Sequence, residues 1–172
     1  MSGCGAILLP DSPGNSAPIS TSRAAAPARS VAGSFPVPSW IRLESLPAAE
    51  WEETLRTVTQ DFRGKIDGGE AKMAFARSDG AELGLIIVLR PTPAYSSPAA
   101  MKAELKRQMR LAMQVNGVVI WKTIAGHDVP TFTSEGGDNW YWISGKEYVI
   151  VITPEGDDHE KAFVRAIAER TV

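Results

Sequence analysis

Apolar positions show no sustained period over the first 39 residues, and from there to the C-terminus they recur at helical or strand spacing. Over 47–62 the residues Trp51, Leu55, Val58 and Phe62 fall on one stripe of a helix. Pro47 stands near its start, Glu50, Glu52 and Glu53 fill the early turns where the helix dipole favours acids, and Gly64 follows as a stop. Residues 71–78 and 82–90 then read as two strands joined at Asp79-Gly80, a dipeptide suited to a two-residue hairpin turn. That turn sets Arg77 against Glu82 and Phe75 against Gly84.

Three prolines, Pro91, Pro93 and Pro98, interrupt the strand pattern, and Ser97 is placed to cap a second helix that runs to about 115 and stops at Asn116-Gly117. Met101, Leu105, Met109, Ala112 and Met113 form its expected buried stripe. Residues 118–124 and 129–134 suggest a hairpin around Gly126, with Pro130 confining its strand to an edge or a bulge. A third hairpin joins 140–144 to 147–153 through Gly145-Lys146, and Asp157 with Glu160 resembles a capping box opening a last helix that carries Phe163, Ala166 and Ile167.

The order is helix, two strands, helix, four strands, helix, with hairpins throughout. It predicts an α+β fold: an antiparallel sheet of about six strands with helices packed on one face, a two-layer sandwich. The third hairpin complicates that picture, because its turn sets Trp140 against Val151 and Trp142 against Val149 on one face while Tyr141, Ile143, Tyr148, Ile150 and Ile152 occupy the other. Both faces are apolar, so each needs a cover. Either Trp40 with Phe35 and Val37 supplies the second, or Trp51 and Trp121 join a larger core, or an aromatic platform of Trp121, Trp140, Trp142 and Tyr148 stays open for a partner or small apolar ligand.

Composition divides the chain in two. Of its 172 residues, 44% are hydrophobic. Between Gly5 and Ser39, however, Ala, Pro, Ser and Gly dominate, and Asp11, Arg23 and Arg29 are the only charges. Such a segment cannot bury enough apolar surface to offset its ordering entropy, so residues 1–39 read as a disordered tether and 40–172 as a single domain. No apolar run is long enough to span a bilayer.

Directly before this tether, Met1-Ser2-Gly3-Cys4 resembles the end of a bacterial lipobox, in which a Leu is usually followed by two small residues and a lipidated Cys; here Met stands in place of Leu. The resemblance covers four residues. It implies lipidation at Cys4, a precursor that continues upstream of Met1 with a signal peptide, and a cell-envelope location; without such a precursor the expected location is cytoplasmic.

Charge and chemistry narrow the functions. A formal net charge of -2 at pH 7 gives no global attraction to nucleic acid. There is no Gly-x-Ser-x-Gly elbow, no P-loop and no dinucleotide fingerprint, and one cysteine cannot form an intramolecular disulfide. His127-Asp128 and Asp157-Asp158-His159 are the only groupings that suggest a metal; turn and helix-cap roles account for both, so no metal or other cofactor is expected. Lys102, Lys106, Arg107 and Arg110 give the second helix a basic face, either a solvated surface or a dock for an anionic partner. The expectation is a non-enzymatic binding or assembly module, which the lipobox resemblance would place in a bacterial cell envelope. The alternatives are a soluble small-ligand-binding protein with an aromatic-lined sheet cavity, and an enzyme using carboxylates such as Asp128, Asp138 or Glu147.

Overall fold

A computed structural model describes residues 37–134, 137–154 and 160–171. The expected tether, Cys4, Phe35 and the Asp157-Asp158-His159 group lie outside these residues. Seven strands form one antiparallel sheet: β1 (Ile41–Ser45), β2 (Ile66–Ala76), β3 (Glu82–Pro91), β4 (Ile120–Ile124), β5 (His127–Ser134), β6 (Gly137–Ser144) and β7 (Glu147–Thr153). Their spatial order is β1-β2-β3-β7-β6-β5-β4. The chain therefore lays down one meander, crosses to the far edge through a helix, and meanders back until β7 pairs with β3 in the middle.

Three helices complete the sandwich: α1 (Ala48–Asp61), α2 (Pro98–Asn116) and α3 (Glu160–Ala168). α1 ends where Arg63 and Gly64 both take left-handed backbone, φ 52° and 70°, and Gly64 N donates to Thr59 O at 3.0 Å. Ser97 Oγ accepts from Ala100 N at 3.2 Å to cap α2, Pro98 occupies the first turn, and Gly117 closes the helix with φ 88°.

The two apolar faces of the central strands are both buried. On one face Ala71, Ile87, Leu89, Tyr148 and Ile150 pack against Met101, Leu105 and Met109 of α2 and against Phe62, with Trp51, Leu55 and Val58 of α1 alongside. On the other, Ile86, Val88, Trp140, Trp142, Val149 and Val151 pack against Phe163, Val164, Ile167 and Ala168 of α3. The antiparallel sheet and the α+β class stand as expected, with β1 as an additional strand; the expectation that the helices share one face is corrected, because both faces of the central strands are apolar and α3 covers the one that α1 and α2 leave. Each fully buried apolar side chain of α3 contributes about 1.5–3 kcal/mol, which makes this short helix structurally important. Val37 packs against the same core, whereas Trp40 is 40% exposed.

The third hairpin has the expected register, Trp140 with Val151 and Trp142 with Val149. Elsewhere the structure corrects the sequence. At the β2–β3 turn Asp79 Oδ1 accepts from Ala81 N at 2.9 Å and Ala76 N donates to Ala81 O, so the loop is wider than two residues. A bulge after Ala74 then pairs Gly84 with Ala74 and Phe75 with Glu82, while Arg77 donates to the carbonyls of Trp40 and Ile41 instead of facing Glu82. Pro130 lies inside the sheet, opposite Trp121, rather than on an edge strand; it sits just past the β5–β6 register, which ends at Thr131, so no ladder bond to β6 is asked of it.

Two glycines explain how tightly β7 is held. Gly84 of β3 has φ 135° and a Cβ there would lie 2.1 Å from Ile152 O, while Gly137 of β6 has φ 114° and a Cβ there would lie 2.0 Å from Thr153 O. Only glycine lets both neighbours approach the end of β7.

Candidate functional site

The four aromatics of the expected platform do not share a surface. Trp140 and Trp142 stand on the α3 side, 3% and 0% exposed, and their indole N–H groups donate to Thr153 Oγ1 at 3.3 Å and Thr171 Oγ1 at 3.1 Å. Tyr148 is on the opposite face, its hydroxyl donating to Met101 O at 3.4 Å and its ring 5.2 Å from that of Phe62. Burial, with the negative charge of Glu104 nearby, pushes the Tyr148 phenol up to about 12. Tyr141 stacks on Phe132 with ring centroids 5.7 Å apart, and burial, aided by Asp61, raises it to about 12 as well. Trp121 alone of the four remains open, 48% exposed.

The basic face of α2 separates into two parts. Glu104, the only acid of the helix, is buried with 3% exposure. Lys65 Nζ donates to its Oε2 at 2.6 Å, and Arg107 Nε and Gln108 Nε2 donate to Oε1 at 2.8 and 3.1 Å. Burial pushes the Glu104 carboxyl up, but these donors outweigh it and hold the group below its ordinary value. Arg107 and Gln108 also donate to Asp61 O at the end of α1. Arg107 is thus absorbed into a latch between α1, α2 and the start of β2. Lys102, Lys106 and Arg110 are exposed, and among the described residues none of them is in an ion pair.

A second feature adjoins this row. Eight large apolar side chains are exposed among the described residues, and six of them fall between Leu111 and Trp121: Leu111, Met113, Val115, Val118, Ile120 and Trp121. They are close in sequence but do not all share one face. Met113 was expected in the buried stripe and is 51% exposed. Met101, Leu105, Met109 and Ala112 point inward, and Met113 is rotated about a quarter turn from them, on the flank of Lys102 and Lys106. Helical phase was the signal that could have placed it.

Trp121 joins the same side of the molecule. It pairs with Pro130, two residues before Phe132, whose ring packs into the α2-side core, so strand alternation puts the Trp121 side chain on the face that α2 covers. α2 lies over β5 and β6, leaving β4 beside it at the sheet edge. Ile120 points to the other face. The resulting surface combines Lys102, Lys106 and Arg110 with Met113, Val118 and Trp121.

The remaining candidates stay apart. His127 sits 6.2 Å from the Trp142 ring with its Nε2 buried and without a hydrogen-bond partner among the described residues, which contain no group of three metal-ligating side chains. Asp138 accepts from Thr133 Oγ1 at 2.5 Å, Asp128 is exposed on β5, and Glu147 lies at the opposite end of β7 from Asp138's partner Thr153. Comparison of the chain with protein-family models, curated proteins and solved structures gave no match.

Proposed function

We propose that the chain is a non-enzymatic binding or assembly module of a bacterial cell envelope, held by a lipid on Cys4 and spaced from the membrane by its Pro/Ala/Ser-rich N-terminal stretch. The observation that carries the binding reading is the set of exposed apolar side chains Met113, Val118 and Trp121 beside Lys102, Lys106 and Arg110, three exposed cations that are in no ion pair among the described residues. A surface of this composition favours association with another surface over turnover of a small molecule. The envelope reading draws its support from the position of the single cysteine, directly before a long tether.

Mass spectrometry of the N-terminus of the native protein, after membrane fractionation, tests this. Acylated Cys4 in the membrane fraction is the expected result, and Cys4→Ser should abolish the acylation. An unmodified Met1 or Ser2 in the soluble fraction would contradict the envelope reading and leave a soluble binding protein that uses the same surface.

A further inference from the structure

We infer that the surface formed by the outer flank of α2 and by β4 docks directly on an anionic lipid bilayer, with Lys102, Lys106 and Arg110 meeting headgroup phosphates and Met113, Val118 and Trp121 entering the interface. This rests on the envelope reading and adds a second membrane contact to it. The argument begins with charge. The three cations stand at four-residue steps on one helix, and the only acid of that helix is turned inward and neutralised by Lys65 and Arg107. The outer surface of α2 is therefore purely cationic on a chain whose formal net charge is -2. Attraction to anions is local to this flank and screened by salt.

Chemistry of the apolar part selects a bilayer over a simple acidic polymer. Trp121 is half exposed on the same side as α2, Met113 lies on the cationic flank, and Val118 is 66% exposed in the link between them. Indole prefers the boundary between headgroup and acyl chain, and a basic row beside such residues is the composition of a peripheral membrane surface. The 32 residues between Cys4 and Val37 leave ample chain for the domain to reach back to the surface that anchors it.

The test uses the full chain without lipid, so that it is independent of Cys4, and measures co-sedimentation with phosphatidylglycerol vesicles and with phosphatidylcholine vesicles. Binding to the first and not the second is expected, falling as salt is raised and accompanied by a blue shift of Trp emission. Replacing Lys102, Lys106 and Arg110 by Gln should weaken it by about fivefold per charge, roughly a hundredfold together. Trp121→Ala should weaken it further and abolish most of the blue shift. No binding to phosphatidylglycerol, or equal binding by the triple variant, overturns the inference. So does displacement by soluble polyglutamate with Trp121→Ala without effect, which would assign the surface to an acidic polypeptide. Acylated Cys4 with no vesicle binding would overturn this inference alone, whereas a free N-terminus with vesicle binding would overturn only the anchor.

Discussion

The two edges of the sheet have opposite character. At β1, Ile41 is 1% exposed and Leu43 packs on the core, while Arg42 pairs with Glu44 and lies 4.9 Å over the Phe75 ring. Arg77 adds donors to the carbonyls of Trp40 and Ile41, so this edge is charged and partly capped. At β4 the first four residues are all exposed and two of them are Ile120 and Trp121; the one charge, Lys122, is drawn back over the Trp140 ring at 4.8 Å. Charged and capped edges are how folded proteins discourage strand addition and sticking. One edge is protected in this way and the other carries exposed apolar side chains, and the proposed docking surface lies at the second.

That contrast presumes a rigid centre, and the largest expected effect tests it. Gly84→Ala or Gly137→Ala would drive a Cβ into a β7 carbonyl at a φ that L residues rarely adopt, and each should destabilise the protein by more than about 3 kcal/mol or prevent folding. A loss below about 1 kcal/mol in urea titration would mean that β7 can shift, and that the two halves are less firmly joined than their register implies. Next, the same residue type should behave differently across the sheet. Trp142→Ala should cost about 3–5 kcal/mol by removing a fully buried side chain, and Trp121→Ala should stay within about 0.5 kcal/mol. Comparable losses would make the β4 end part of the core.

Titration gives smaller, signed effects confined to the α2 side. The Glu104 carboxyl is depressed in the folded state, so the stability it contributes is present above the unfolded value and disappears as pH falls through the folded one. Glu104→Gln should flatten the acid limb of the stability profile, and an unchanged limb would contradict the latch. Tyr141 and Tyr148 are raised, so their contribution is complete below the unfolded value near 10 and is lost as pH climbs toward about 12. Ultraviolet difference spectra should show both phenols ionising only near pH 12; ionisation near 10 in the folded protein would mean that they are not buried.

Much of the fold was legible because local chemistry and tertiary packing agree in it. Ser97, Pro98 and Gly117 mark α2, and the Gly145-Lys146 turn fixes the Trp140–Val151 register, as their backbone preferences dictate. Trouble arose where a side chain acted outside its own element. Asp79 widened the β2–β3 loop through Ala81, and Arg77 served β1, so the register read from the turn alone slipped. β1 escaped notice because five residues of mixed polarity resemble a loop until β2 pairs with them. Of the candidate site residues, Trp121, Lys102, Lys106 and Arg110 are exposed. Residue type could not tell that Arg107 would join a latch with Asp61 and the Lys65–Glu104 pair, or that Trp140 and Trp142 would lie beneath α3, since both depend on contacts distant in the chain.

Hydrogen–deuterium exchange at β1, β4 and α2, read with and without anionic vesicles, bears most directly on the claim that the β4 end is the working surface. The account predicts that β4 amides exchange faster than those of β1 in the free protein and that vesicles protect β4 and the C-terminal half of α2 while leaving β1 unchanged. Equal protection of the two edges in the free protein, together with no change on vesicles, would contradict it.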